Sequence, residues 1–245
     1  LLDGGLLHED VQPIWGEGLR GYAVEARLGA DGAVVREAAP LESGDPKVLA
    51  KLPQAFQPSG GLKVLEGNLG RGVIKTSAVK PDRHLIEAPA VVFHDQEELN
   101  AAFKEGRLTG DLVAVVRFQG PKANGMPELH KLTVALGILQ DRGFRVALVT
   151  DGRMSGASGK GPAAIHITPE ALDGGPIGKI RDGDMIRLDA ENGTLDVLVD
   201  ESELLVREIP TVSLAHNQFG MGRELFSGFR ALVGRADEGA SAFAA

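Results

Sequence analysis

Short apolar runs separated by glycine-rich turns dominate this sequence and constrain its fold more than any other feature. The run Leu112–Phe118 is apolar at almost every position, as expected for a central strand that is buried on both faces. Glycine contributes 33 of the 245 residues, which predicts many tight turns. Because aromatic residues make up only 4% of the chain, the core must consist mainly of Val, Leu, Ile and Ala.

Two hairpins are predicted from local patterns. Residues Tyr22–Leu28 alternate in polarity and lead through a glycine turn to Val34–Val35. Further on, Asn192–Gly193 connects Met185–Leu188 to Leu195–Val199, and this dipeptide is typical of two-residue hairpin turns. The other predicted strands are Leu62–Leu65, Gly72–Lys75, Ala90–Phe93, Leu112–Phe118, Arg145–Thr150 and Ala164–Ile167.

Three helices are predicted between and after these strands. The first runs from an N-cap at Asp95 to Glu105, with Glu98 at the capping-box position. The second spans Pro127 to about Arg142, and the third spans Arg223–Leu232. The second helix carries a leucine on one face at 3-4-3 spacing, namely at Leu129, Leu132, Leu136 and Leu139. We therefore expect a β-rich α/β fold, a barrel flanked by helices, in one domain of residues 1–245 with a C-terminal helix and tail at 211–245.

Composition excludes several classes of protein. The net charge of -8 argues against a nucleic-acid partner, because phosphate binding requires a basic face. No apolar run approaches the roughly 20 residues needed to cross a bilayer. The absence of cysteine excludes disulfides, thiolate chemistry and self-contained iron–sulfur ligation. The sequence shows no signal peptide but begins without an initiator Met, so we expect a fragment whose first residues say little about targeting. From the absence of cysteine we expect a cytoplasmic protein.

The segment Asp151–Lys160 combines glycines, cations and two serines directly after a predicted buried strand. It presents Ser155 and Ser158 between Arg153 and Lys160. Ligands commonly lie at strand ends in such sheets, and glycine lets backbone N–H groups approach an anion. The alternative interpretation is a solvated turn with ordinary capping serines. The segment alone leaves both interpretations open.

The segment Asn124–Glu128 is similarly ambiguous. Pro127 fits the first turn of a helix, where its missing N–H costs nothing. Glu128 would then interact favourably with the helix dipole, which is a sufficient structural reason for its presence. The functional alternative is that Glu128 binds Mg²⁺, which usually takes one or two protein carboxylates.

The six histidines show no spacing typical of a metal site. His130 lies two residues after Glu128 and therefore around the predicted helix from it. His166 lies on a predicted strand, where a structural histidine is the favoured interpretation. The segment Gly120–Gly125 lacks the Gly-Lys-Ser/Thr ending of a P-loop. Neither a histidine metal centre nor a nucleotide site is predicted.

Two stretches, Phe118–Leu132 and Thr150–Lys160, resemble the C-terminal domain of the dihydroxy-acid/6-phosphogluconate dehydratase family. Both carry finer features of the phosphogluconate branch, namely Lys-Ala-Asn-Gly-Met-Pro-Glu-Leu-His and Met-Ser-Gly-Ala-Ser-Gly-Lys. The dihydroxy-acid branch more usually has Met-Pro-Glu-Met and Phe-Ser-Gly-Gly-Thr. Further matches follow in order along nearly the whole chain, at Leu6–Val11, Leu65–Arg71, His166–Ala171, Gly174–Ile177, Arg181–Asp184 and Gly220–Phe226.

The resemblance implies a swivelling β-barrel similar to the C-terminal domain of aconitase. It also implies that the cysteines holding an iron–sulfur cluster, and further metal carboxylates, belong to an N-terminal domain outside these residues. This chain contributes no cluster ligand, since it has no cysteine. We therefore expect the isolated chain to bind no cluster and to turn over no substrate. Family members are commonly dimers, which predicts a homodimer.

The activity implied by the resemblance is that of a hydro-lyase in gluconate metabolism. It would convert 6-phospho-D-gluconate to 2-dehydro-3-deoxy-6-phospho-D-gluconate, a step of the Entner–Doudoroff pathway. An iron–sulfur cluster, expected to be 4Fe–4S, would act as Lewis acid on the C3 hydroxyl, while Mg²⁺ would bind the substrate carboxylate and C2 oxygen. Ser155 matches the family residue that accepts the C2 proton, and Glu128 matches a ligand of the cation. Arg153, Ser158 and Lys160 are predicted to contact the phosphorylated substrate.

Two alternatives stay open at this point. One is a domain of a dihydroxy-acid or non-phosphorylated sugar-acid dehydratase, which uses the same chemistry. The other is a non-catalytic binding module that retains the fold. The absence of cysteine favours the module, whereas the presence of both Glu128 and Ser155 in their motifs favours the enzyme.

Overall fold

A computed structural model describes residues 1–14, 16–57, 59–155 and 160–243. The chain forms two compact units, Leu1–Ser59 and Gly60–Ala245. The first unit contains the predicted N-terminal hairpin, in which β1 (Val24–Leu28) pairs antiparallel with β2 (Val34–Ala38). Nearly every residue of this hairpin is exposed, so it contributes little to a core.

The second unit is built around a closed barrel of eight strands, which confirms the predicted fold class. The order around the barrel is β10-β3-β4-β8-β7-β6-β5-β9. Adjacent strands from β5 to β8 pair in parallel, and most of the other pairs are antiparallel. The strands are β3 (Leu62–Gly67), β4 (Gly70–Lys75), β5 (Leu85–Phe93), β6 (Leu112–Val116), β7 (Val146–Thr150), β8 (Ala163–Thr168), β9 (Met185–Asp189) and β10 (Thr194–Val197).

The apolar run of β6 is continuous because both of its faces are buried. Val113 and Val115 belong to the core inside the barrel, together with residues such as Ile74 and Leu188. The alternate residues Leu112, Ala114 and Val116 belong to a second core, which packs against the helices. Strand β7 follows the same rule, so the period of two along each strand divides its side chains between the two cores.

The described residues of the second unit form five α-helices, at α1 (Gln96–Lys104), α2 (Pro121–Asn124), α3 (Leu132–Asp141), α4 (Glu201–Val206) and α5 (Ser227–Leu232). Helix α1 begins as predicted, since the side chain of Asp95 accepts a hydrogen bond from the backbone N–H of Glu98 at 2.8 Å. The Glu98 carboxylate in turn accepts from the N–H of His94 at 2.7 Å. The short helix α4 was not predicted, although Asp200 caps it in the usual manner.

Two predicted helices begin later than expected. Helix α3 starts at Leu132 instead of Pro127, because the backbone N–H of Leu129 donates to the carbonyl of Arg153 at 3.1 Å. The segment before α3 therefore runs alongside another strand end. The leucines of the predicted face are nonetheless all buried. Helix α5 starts at Ser227 instead of Arg223, after turns that include two glycines with positive φ, Gly220 and Gly222.

The predicted hairpin at Asn192–Gly193 is confirmed, with β9 and β10 antiparallel on either side of it. Gly193 has a φ of 72°. A Cβ at this position would lie 2.8 Å from the carbonyl oxygen of Val64, so only glycine fits without a shift of the neighbouring strand β3.

Candidate active site

The carboxyl ends of the parallel strands β5, β6 and β7 lie at one edge of the barrel, and the motif residues follow them directly. His94 follows β5, Arg117–Gly120 follow β6, and Asp151–Ser155 follow β7. Ligands of α/β sheets commonly bind at this edge, because the loops after adjacent parallel strands meet there. The topology therefore brings these segments of distant sequence together.

Asp151 is a fully buried carboxylate at the centre of this edge. Its Oδ1 accepts a hydrogen bond from the N–H of Gln119 at 2.9 Å. Its Oδ2 accepts from the N–H groups of Phe118 at 3.1 Å and Ala171 at 3.0 Å. Burial raises the pKa of Asp151 to about 6, and these three backbone donors oppose the rise. Asp151 thus joins the loops after β6, β7 and β8.

Glu170 is a second buried carboxylate, and sequence inspection did not single it out. One oxygen accepts from the N–H of Lys122 at 2.8 Å, at the start of α2. The other oxygen has no hydrogen-bond partner among the described residues. Burial raises the pKa of Glu170 to about 7. A Cβ on Gly120 would lie 1.6 Å from this carboxylate, which explains why glycine precedes α2.

A chain of side-chain hydrogen bonds fixes the segment that leads to Glu128. The side chain of Gln119 donates to the carbonyl of His94 at 2.7 Å. The side chain of Asn124 donates to Gln119 Oε1 at 2.8 Å. Arg223 Nη2 then donates to Asn124 Oδ1 at 2.6 Å. Each polar group of Asn124 thereby has a defined partner, which holds the Asn124–Glu128 backbone in place.

The two motifs meet through backbone pairing. Glu128 and Arg153 form a parallel β-bridge, and Arg153 Nε donates to the carbonyl of Met126 at 2.8 Å. Glu128 is half-buried in this extended segment. The interpretation of Glu128 as a helix-capping carboxylate is therefore wrong, because α3 begins four residues later. The pairing instead places Glu128 beside the strand end that leads to Ser155.

Ser155 is half-buried and lines a cavity of about 260 Å³ together with Arg153, Lys75 and His166. His166 adopts a left-handed backbone with φ 58°, and its N–H donates to the carbonyl of Gly152 at 2.9 Å. Burial lowers the pKa of His166 below its usual range, and the Arg153 guanidinium lowers it further. Both effects favour the neutral form of the imidazole.

The remaining predicted substrate contacts lie elsewhere. Lys160 is exposed and lines a neighbouring cavity of about 290 Å³ with Thr133 and Gln140. Met154 borders both this cavity and the one that contains Ser155. Ser158 lies outside the described residues.

Of the two implied cofactors, this chain has a side chain suited to Mg²⁺ but none suited to an iron–sulfur cluster. An iron–sulfur cluster does not fit its residues, because there is no cysteine. Among the described residues, no group of three or more His, Asp or Glu side chains could hold a metal ion. Glu128 offers one half-buried carboxylate, which suits Mg²⁺ as a single protein ligand among several. None of the helices in the described part of the chain combines the length and apolar character that crossing a membrane requires.

Comparison with known proteins identifies the relatives of this chain. Residues 47–240 match the family model described as dihydroxy-acid/6-phosphogluconate dehydratase, C-terminal. Relatives named phosphogluconate dehydratase are 63% identical in Rhizobium meliloti and 58% identical in Pseudomonas aeruginosa, over 98% and 99% of this chain. A dihydroxy-acid dehydratase of Nitratidesulfovibrio vulgaris is 41% identical over 76% of this chain. The chain spans 40% of the length of the first two relatives.

Proposed function

Because the chain belongs to the dihydroxy-acid/6-phosphogluconate dehydratase family, where it matches the C-terminal part, we propose that it forms one side of a hydro-lyase active site. The resemblance seen in the motifs is thereby confirmed. The proposed reaction is the dehydration of 6-phospho-D-gluconate to 2-dehydro-3-deoxy-6-phospho-D-gluconate. The pairing of Glu128 with Arg153 carries this proposal, because it brings the two motifs to one edge of the barrel.

In this proposal Ser155 accepts the proton from C2 of the substrate. The electrons of the C2–H bond form a C2–C3 double bond, the C3–O bond breaks, and the hydroxyl leaves as water with a proton taken from solvent. Ser155 then returns the C2 proton to solvent, so protons balance over the cycle. The resulting enol tautomerises to the 2-keto product. A serine hydroxyl is a weak base at neutral pH, so it must act as an alkoxide stabilised by positive charge. Arg153, in the same cavity, supplies part of that charge.

Glu128 is proposed as the ligand that this chain offers to a divalent cation. When bound, Mg²⁺ and an iron–sulfur cluster would supply Lewis-acid charge at the C2 oxygen and the C3 hydroxyl. The cluster and the other cation ligands would come from the part of the relatives that this chain does not span. Arg153, Ser158 and Lys160 remain proposed substrate contacts, and a cytoplasmic homodimer remains the expected form.

The decisive test replaces Ser155 in the full-length protein that carries this sequence. In Ser155→Ala we expect kcat to fall by at least about 100-fold, since positioned proton transfer contributes about 10²–10⁴-fold. Ser202→Ala is the matched control, because Ser202 is exposed in α4. Cluster content is measured by absorption in each variant. Normal turnover by Ser155→Ala with an intact cluster would eliminate the proposed base.

A second candidate is dehydration of a dihydroxy acid or a non-phosphorylated sugar acid. The relative from Nitratidesulfovibrio vulgaris favours it, although it is less similar than the phosphogluconate dehydratases. Parallel assays with 6-phosphogluconate, gluconate and a dihydroxy acid decide between these substrates. If the chain is a non-catalytic module, the full-length, cluster-loaded protein will turn over none of these three substrates.

A further inference from the structure

A cavity of about 650 Å³ lies between the Asn124–Met126 segment and the C-terminal helix α5. We call it the arginine cavity, because Arg223 and Arg230 are its charged lining residues. The rest of the lining is mainly apolar and includes Met126, Met221, Phe226, Phe229 and Val233. Two cations in an otherwise apolar cavity form a site that favours an anion.

Arg230 is buried, with only 8% of its surface exposed. Its Nη2 donates to Gln218 Oε1 at 3.2 Å. Its Nε is buried and has no hydrogen-bond partner among the described residues. A buried donor without a partner is costly, and the cost is greater for a charged group. The hydrogen-bonding capacity of the Arg230 guanidinium is therefore not satisfied by the described residues.

Arg223 is half-buried and firmly oriented beside it. Its Nη2 donates to the backbone carbonyl of Asn124 at 2.9 Å and to Asn124 Oδ1 at 2.6 Å. Its Nε donates to the carbonyl of Asn217 at 2.5 Å. Burial lowers the pKa of Arg223, and the neighbouring charge of Arg230 lowers it further. The geometry thus keeps two like charges close together.

Neither arginine forms an ion pair with a carboxylate in the described part of the chain. The chain has 34 acidic residues and a net charge of -8, so acidic groups are abundant elsewhere. A buried guanidinium group beside a half-buried one, with no carboxylate paired to either, is unfavourable unless an anion joins them. A phosphate dianion fits this requirement, since guanidinium groups bind its oxygens through paired hydrogen bonds.

The arginine cavity adjoins the proposed catalytic segment. Met126 lines the cavity, and its carbonyl accepts the hydrogen bond from Arg153. Met126 precedes Glu128 by two residues, so their Cα atoms are at most about 7 Å apart. A sugar acid that places its carboxylate end near Glu128 would thus extend its other end toward the cavity.

We propose that Arg223 and Arg230 form the subsite for the phosphate group of the substrate. This inference rests on the proposed dehydratase function and adds the residues that distinguish a phosphorylated from a non-phosphorylated sugar acid. Arg230 supplies one guanidinium charge at the cavity wall, and Arg223 supplies the second from a fixed position. Arg153 then serves the reacting end of the substrate instead of the phosphate.

The test compares Arg223→Gln and Arg230→Gln with Arg235→Gln in the full-length protein. Arg235 is the matched control, because it is an exposed arginine of the same C-terminal region, paired with Asp237 at 3.0 Å. The measured quantity is the ratio of kcat/KM for 6-phosphogluconate to kcat/KM for gluconate. We expect this ratio to fall roughly 10- to 100-fold in each of the first two variants, the loss typical of a charged hydrogen bond. It should stay constant in Arg235→Gln.

A second measurement is independent of turnover. Inorganic phosphate should raise the Tm of the wild-type 245-residue chain, and Arg230→Gln should lose this increase. If the full-length, cluster-loaded wild type turns over no sugar acid but the 245-residue chain shows the phosphate effect, the dehydratase proposal fails and the anion site stands.

The subsite assignment fails if folded glutamine variants keep the wild-type ratio, or if phosphate leaves the Tm of the wild type unchanged. A loss of stability with an unaltered ratio would also overturn it, since the counter-ion would then be a carboxylate from another segment. Where a glutamine variant does not fold, Arg230→Lys and Arg223→Lys replace it. They keep the charge but lose the paired hydrogen bonds, so the ratio must still fall.

Discussion

At the scale of single residues, Asp151 is the group on which the site geometry depends most. Both of its oxygens accept backbone N–H groups. In Asp151→Asn the new NH₂ group must face one of these donors in either orientation. We expect the free energy of unfolding to fall by about 1–3 kcal/mol, the usual cost of an unsatisfied buried group. Urea denaturation at pH 7.5 measures it, with the exposed Asp141→Asn as control. Equal stability of the two variants would contradict this role.

The raised pKa of Glu170 makes the stability of the folded chain depend on pH. Its pKa rises from 4.5 in the unfolded chain to about 7 in the folded one. The folded state therefore binds its proton more tightly, and the stability from this proton is complete below pH 4.5. That stability is lost as the pH rises through 7. Asp151, whose pKa rises from 3.8 to about 6, acts in the same direction.

Glu170→Gln should remove most of this dependence, because the amide resembles the protonated acid in charge. We expect the difference in unfolding free energy between wild type and variant to change by on the order of 1–3 kcal/mol between pH 5 and pH 8. As the pH rises, the wild type should lose more stability than Glu170→Gln does. Urea titrations at both values measure it, and a pH-independent difference would refute the assignment.

At the scale of secondary-structure elements, Arg207 connects α4 to the turn before β9. Its guanidinium contacts Asp184 at 2.5 and 3.0 Å and Glu203 at 2.7 Å. Only 5% of its side chain is exposed. Arg207→Gln leaves Asp184 with only the backbone N–H of Arg181 as a donor, and the loss of its cationic partner should cost about 3–5 kcal/mol of unfolding free energy.

The control for Arg207 is Arg187→Gln. Arg187 approaches Glu87 at 3.9 Å, and both side chains are about half exposed. Such a pair contributes about 0–1 kcal/mol. Thermal and urea denaturation compare the two variants, and similar losses would show that the Arg207 contacts do not stabilise α4.

Elements specified by nearby residues were predicted well, and those specified by distant residues were not. The start of α1 depends on Asp95 and Glu98, three residues apart, so the sequence pattern sufficed. The start of α3 depends on a backbone pairing with Arg153, which local periodicity cannot reveal. The same limit applies to the site. Glu170 and Arg230 resemble ordinary surface residues in the sequence, because their burial depends on contacts with distant segments.

At the scale of the whole molecule, the closed barrel contrasts with an active site that we propose this chain forms only in part. The barrel closes through eight strands, whereas the chain lacks cysteine. It aligns over 98% of its own length with only 40% of the Rhizobium meliloti relative. We expect the isolated 245-residue chain to give no dehydratase turnover and no cluster absorption after reconstitution with iron and sulfide. Circular dichroism establishes that it is folded, and the full-length protein serves as the positive control. Measurable turnover by the folded chain would refute this.

The bridge between Glu128 and Arg153 is made by main-chain atoms, with the N–H of Leu129 bound to the carbonyl of Arg153. Peptide groups are present whatever side chain a residue carries. The distance between the segments at Glu128 and Arg153 therefore does not depend on which side chains those segments carry. A scaffold of this kind can exchange the groups that recognise a substrate while the frame that positions them stays fixed, which makes changes of specificity compatible with one unchanging barrel.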